Sequence, residues 1–245
     1  MNQVAVSGNI FSYGQFGDFE NSPILILHGW GRSGQEWTQL GKELSAWNNR
    51  KVYILDLPGF GGSSLPNVSN IHDYSELVSE FCKYLDIKKV ILIGHSLGGR
   101  IGIVMGANKD SILTKLILIN PAGVKPVSIK RLVLRIFAKI FFWIPREIRN
   151  LILGRIMDED FRNSPALQKL YRAVVGEDLR KYLPKIKCET VVIWGEWDRV
   201  LPISLLRVYR KYLKNRIVRV VWGAGHDPHL TQADQILRIL QEYTE

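Results

Sequence analysis

The sequence predicts an α/β fold: a mostly parallel eight-stranded sheet with helices on both faces and an inserted helical cap. Three observations carry this. Six short apolar runs each end in turn residues, helical patterns separate them, and the alternation breaks once, over some 65 residues.

The first 20 residues carry turn signals at Ser7-Gly8-Asn9 and Tyr13-Gly14 and read as an antiparallel hairpin at the sheet edge. The apolar runs follow as PILILHG (23–29), VYILDLPG (52–59), VILIGHS (90–96), KLILINPAG (115–123), TVVIWGE (190–196) and IVRVVWGAGH (217–226). Most are apolar throughout rather than alternating, the pattern of strands buried on both faces. Between the second and third, Asp73 with Glu76 reads as an N-cap with its capping-box partner. Leu77, Val78, Phe81 and Leu85 then share one helical face. After the third run, Gly98, Gly102 and Gly106 recur every four residues and make a smooth helical face for close packing on the sheet. From Pro121 to Lys185 there are helical patterns without a strand signal, too long a stretch for a loop. The expected organisation is a core of residues 1–120 and 186–245 and a cap of residues 121–185. The cap leaves the sheet at the carboxyl end of a strand, where open α/β sheets bind ligands.

Apolar residues make up 46% of the 245 and charged residues 23%, ordinary values for a soluble globular chain. No apolar run approaches the ~18 residues of a membrane span, and the opening MNQVAVSGNIF has no secretory pattern. A cytoplasmic protein is expected. Cys82 and Cys188 stand far apart without metal-ligand spacing, so neither a disulfide nor a metal site is predicted. No nucleotide fingerprint or phosphate loop is present, and no cofactor is expected. The net charge of +10 suits an anionic partner, yet no nucleic-acid motif accompanies it, so nucleic acid is not predicted as a partner.

Gly94-His95-Ser96-Leu97-Gly98 matches G-x-S-x-G between a strand pattern and a helical one, where a sharp turn exposes the serine and leaves no room for flanking side chains. Glycine and serine are also ordinary turn residues. Partners weigh against turn chemistry alone. Gly195-Glu196-Trp197-Asp198 places a carboxylate after the fifth run, and Gly223-Ala224-Gly225-His226 places a histidine after the sixth. A parallel sheet brings these strand ends to one edge, in the chain order Ser, Asp, His.

Taken together, HGWG (28–31), DLPGFGGS (56–63), GHSLGG (94–99), GEWDRVLP (195–202) and GAGHDPH (223–229) resemble the α/β-hydrolase superfamily over essentially the whole chain outside the cap. The resemblance implies Ser96 as nucleophile, His226 as general base and acid, and Asp198 as its orienting partner. It also implies an oxyanion hole from the backbone N–H groups of Leu97 and Trp30. Glu196 and His229 are the rival acid and base; the motif's trailing proline favours Asp198, and the glycines before His226 favour that histidine. Trp30, His28 and His95 adjoin these elements and are the candidate substrate contacts. His28 is also read as bonding its own loop, His95 as packing locally, His72 as a surface residue, and Trp37 as pocket wall or core.

Serine at position 96 argues against the epoxide hydrolases and haloalkane dehalogenases of the superfamily, which use aspartate there. The implied activity is hydrolysis of a carboxylic ester with an apolar acyl group, through an acyl-enzyme. Carbon–carbon bond and lactone hydrolases share the same arrangement, and a ligand-binding receptor on this fold is the rival of another class. HGWG with the following Trp37 is also similar to pimeloyl-carrier-protein methyl ester esterases. The insertion holds 14 Lys and Arg against 6 Asp and Glu. Within it Arg131, Arg135 and Lys139 form a basic stripe beside a broad apolar sector of Ile129, Leu132, Val133, Ile136, Phe137, Ile140 and Phe141. Such a helix suits a lid over an apolar pocket, an anionic membrane surface, or an acidic carrier protein.

Overall fold

The computed structural model describes residues 1–125 and 164–245. All six apolar runs form strands. With the N-terminal pair they are β1 (Asn2–Val6), β2 (Asn9–Phe16), β3 (Ile24–Leu27), β4 (Val52–Leu55), β5 (Val90–His95), β6 (Leu113–Ile119), β7 (Glu189–Gly195) and β8 (Arg216–Val221). They make one sheet in the order β1-β2-β4-β3-β5-β6-β7-β8. β1 and β2 are antiparallel to each other, and β2 to β4; every other pairing is parallel.

The continuous apolar character of the runs has a direct cause. In β3, Ile24 and Ile26 point into one core layer, and Leu25 and Leu27 into the other. All four are fully buried. Helices α1 (Thr38–Asn48) and α7 (Ala233–Thr244) cover the isoleucine side. Helices α2 (Ile71–Tyr84), α3 (Leu97–Ala107), α4 (Pro165–Val175) and α5 (Leu206–Tyr212) cover the other, and the one-turn α6 (Pro228–Thr231) precedes α7.

Two local expectations are corrected. Ser7 and Gly8, both at positive φ, make the hairpin turn, but Tyr13-Gly14 lies inside β2, paired with Leu55 and Ile54. The N-cap of α2 is Asn70, not Asp73. Its side chain accepts from the His72 and Asp73 N–H groups at 2.7 and 3.0 Å, while the Asp73 carboxylate reaches back to the Ser69 N–H at 2.9 Å. The cap therefore sits one turn earlier, and Asp73 reaches past it to the preceding residue.

The predicted insertion is described at its two ends. The basic stripe and apolar sector at 129–141 lie outside the described residues. The return leg packs directly on the core: Leu170 and Val174 of α4, with Leu179 and Leu183, are at most 3% exposed and join the cluster that holds α3. Ser164 caps α4 by accepting from the Leu167 N–H at 3.2 Å. At its other end, the buried Arg100 guanidinium of α3 donates to the carbonyl oxygens of Val174 and Glu177. The Val174 carbonyl is left over by the end of the helix and that of Glu177 lies just beyond it, and the cation also suits the negative pole there. Among the described residues, no helix is long and apolar enough to cross a membrane. Arg100→Leu keeps the packing volume but strands these carbonyls. It should cost about 2 kcal/mol, lowering the thermal midpoint by roughly 4–8 °C in a chain of this size, as read by circular dichroism melting.

Candidate active site

The carboxyl ends of β5, β6, β7 and β8 align at one edge, with His95 opposite Ile119, Ile119 opposite Ile193, and Gly195 opposite Val221. Ser96 stands at the β5–α3 junction with φ 49° and ψ −106°, a conformation that a non-glycine residue rarely holds. Such strain costs on the order of 1–3 kcal/mol and persists only where neighbours enforce it. Here the Ser96 N–H donates to the Ile119 carbonyl at 3.1 Å, and the Ser96 carbonyl accepts from the Ala122 N–H at 3.0 Å. The flanking glycines are required by space. A Cβ on Gly98 would lie 2.2 Å from the Leu27 carbonyl oxygen, and one on Gly94 2.5 Å from that of Gly98.

The sequence-predicted trio meets at this edge. Ser96 Oγ is 3.1 Å from His226 Nε2, and His226 Nδ1 is 2.8 Å from Asp198 Oδ2. Asp198 Oδ1 accepts from the Val200 and Leu201 N–H groups at 2.8 and 2.7 Å, so the buried carboxylate is held at both oxygens. His226 keeps a sixth of its side chain accessible, at 17%. With Nδ1–H donated to the carboxylate, Nε2 carries the lone pair that faces the serine hydroxyl.

Leu97 is the first residue of α3, where backbone N–H groups have no carbonyl of the helix to bond. Beside it runs the 28–31 loop, tied to the helix start by the Gly98 N–H, which donates to the His28 carbonyl at 3.1 Å. The Trp30 ring stands edge-on against Phe60 at 4.8 Å and Tyr171 at 5.0 Å. These three rings form an aromatic wall that joins the 28–31 loop, the 56–63 loop and α4.

Two candidate substrate contacts are corrected. His28 is fully buried; its Nδ1–H donates to the Gly29 carbonyl at 2.7 Å and its Nε2 accepts from the Leu57 N–H at 2.9 Å, so it shapes the loop. His95 is 1% exposed and turns away from the opening, its Nε2–H donating to the His226 carbonyl at 2.9 Å. The reason is strand alternation, which sends residues 95 and 96 to opposite sides. Trp37 is core, stacked on His229 with centroids 4.2 Å apart. His229 lies 2% exposed in α6, away from the serine. Glu196, the rival acid, accepts from the Gly223 N–H at 3.0 Å and braces the loop before His226. His72 is partly exposed and pairs with Glu177 at 3.0 Å. Phe60, Tyr171 and Asn120 escaped sequence reasoning. Asn120 is fully buried at the end of β6; its signal was a polar residue closing an apolar strand just before Pro121.

A metal could be held, among the described residues, only by His95, Asp227 and His229, whose ligand atoms lie within 4.8 Å of one another. Arg32 already binds Asp227 at 2.7 Å and Glu36 at 3.1 Å, placing a fixed positive charge there. That is a poor setting for a second cation.

Comparison with known proteins fits this geometry. The model of the alpha/beta hydrolase family matches residues 24–239. The chain belongs to that family. It is 25% identical to monoacylglycerol lipase ABHD6 of Bos taurus, over 90% of this chain and 74% of that protein. It is 23% identical to the pimeloyl-[acyl-carrier protein] methyl ester esterase of Vibrio atlanticus, over 91% of this chain and 94% of that one. Among solved structures, a membrane phospholipase A described as a bacterial virulence factor superposes with a TM-score of 0.79 and 26% identity. That match covers 99% of this chain and 84% of the other.

Burial holds the histidines behind the site neutral, with pKa lowered to about 4 for His28, about 4 for His95 and about 2 for His229. The fixed positive charge of Arg32 pushes His95 and His229 in the same direction. An unfolded chain binds a proton at each below pH ~6.5 while the folded one does not, so stability is complete above that value and falls as pH drops toward 4. Urea unfolding should show a midpoint that declines from pH 6.5 to 4.5. Substituting His229→Gln should flatten that decline; an unaltered slope would refute the assignment.

Proposed function

We propose that this chain is a serine hydrolase that cleaves carboxylic esters of apolar acyl groups through an acyl-enzyme on Ser96. The observation that carries the reading is the Ser96–His226–Asp198 relay, with contacts of 3.1 and 2.8 Å at the carboxyl edge of the sheet. In the first half-reaction Ser96 Oγ attacks the ester carbonyl carbon while His226 Nε2 takes the hydroxyl proton. The carbonyl electron pair moves onto oxygen, and the Leu97 and Trp30 N–H groups receive that oxyanion. Collapse breaks the carbon–oxygen bond to the alcohol, which leaves with the proton from His226. Water then repeats the sequence on the acyl-serine, with His226 taking its proton, and releases the acid and free Ser96. Asp198 keeps the imidazole in the tautomer this needs and stabilises its charged form.

The aromatic wall of Trp30, Phe60 and Tyr171 supports an apolar substrate group beside the oxyanion site. The relatives' names, monoacylglycerol lipase, carrier-protein methyl ester esterase and phospholipase A, support an ester as the bond cleaved. The excess of Lys and Arg in the insertion suits a substrate presented on an anionic bilayer or an acidic carrier protein. A cytoplasmic location remains part of this proposal.

The test is a hydrolysis panel of p-nitrophenyl esters of increasing acyl length, lactones and ring-cleavage diketones. Esters should be preferred, and Ser96→Ala should lower their turnover by roughly 10⁴-fold or more, since the three groups act as a unit. Turnover by the alanine variant at the wild-type rate would sink the proposal. A preference for diketones would move it to carbon–carbon bond hydrolysis.

A further inference from the structure

His226 sits in a glycine-flanked loop, and its two ring contacts to Ser96 and Asp198 do not by themselves fix its main chain. The loop is held from behind. The His226 carbonyl oxygen accepts from Asn120 Nδ2 at 3.0 Å and from His95 Nε2 at 2.9 Å, and the Gly225 carbonyl accepts from the same Asn120 nitrogen at 2.9 Å. On its other side Asn120 Oδ1 accepts from the Gly195 N–H at 2.8 Å, three residues before Asp198. One fully buried side chain thus joins the loop bearing the histidine to the strand end bearing the carboxylate. The same turn also holds the serine, through the Ile119 carbonyl and the Ala122 N–H on either side of Asn120. Asn120 adopts φ 41°, a left-handed conformation that asparagine tolerates better than most residues.

We propose that Asn120 and His95 are positioning residues for His226, clamping its main-chain carbonyl so that the imidazole stays within hydrogen-bond reach of Ser96. Both donors are neutral amide or imidazole N–H groups at the ends of β6 and β5, and neither touches the substrate. Displacing a reacting group by about 1 Å can cost on the order of 100-fold in rate. Losing the clamp therefore lowers the rate of attack and leaves substrate affinity in place.

The proposal rests on Ser96 and His226 acting as nucleophile and base. The test uses the full chain with a fluorophosphonate, which labels an activated serine whatever the natural substrate, and a p-nitrophenyl ester for kcat and KM. Asn120→Ala and His95→Leu should each lower the labelling rate and kcat by about 10- to 100-fold with KM within about 2-fold. His95→Gln, which retains an N–H donor at that reach, should recover most of the loss. Melting temperatures of the two His95 variants separate fold from placement: His95→Gln as destabilised as His95→Leu, yet active, supports positioning. Wild type labelled on Ser96, with both truncations labelled equally fast, overturns this proposal alone. So does a His95→Gln variant no more active than His95→Leu. Wild type that is not labelled at Ser96 overturns the triad reading as well.

Discussion

The close seat of α3 on the sheet is the constraint from which the site follows. A helix normally stands off a sheet by the thickness of its side chains, yet at Gly98 the helix backbone lies against the Leu27 carbonyl, with no space for even a methyl group. That approach forces the chain through a turn of one residue, and Ser96 is the residue. It also brings the first N–H groups of α3 beside the 28–31 loop, so the proposed nucleophile and oxyanion donors arise from one packing event. The strain at Ser96 is offset by the two backbone hydrogen bonds to the 119–122 turn.

Parallel strand ends supply the remaining geometry. Each strand delivers its following loop to the same edge, so residues far apart in the chain converge without a dedicated scaffold. Asp198 and His226 arrive from β7 and β8 and are tied to neighbouring strand ends, both through Asn120 just after β6 and His226 also through His95 of β5. The 28–31 loop is organised in a similar way, by a buried histidine whose two ring nitrogens are both satisfied by backbone.

Legibility in the sequence tracked how local each cause was. The six core strands were readable because burial on both faces leaves an unbroken apolar run. Ser96, Asp198 and His226 were readable because each follows such a run within a glycine-marked turn. The pattern of Asp73 and Glu76 resembles a capping box, yet the cap lies one turn earlier because the shorter Asn70 side chain takes the first N–H groups of α2. Gly14 resembles turn punctuation in sequence, yet it is accommodated within β2 opposite Ile54. The aromatic wall and the contact from His95 to the carbonyl of His226 could not be read. Such pairs lie across the sheet from one another, and their meeting depends on how crossovers are laid down rather than on any window of sequence.

The tie between Arg100 and the end of α4 uses only main-chain oxygens at positions 174 and 177. A carbonyl is present whatever amino acid occupies those positions. The polar part of the insertion's attachment to α3 therefore places no demand on which residues stand at those two positions, while the apolar part rests on Leu170, Val174, Leu179 and Leu183. Selection can rewrite the residues above the pocket, exchanging one substrate preference or docking surface for another, while the anchoring point stays where it is. The arrangement separates what must be kept from what is free to change.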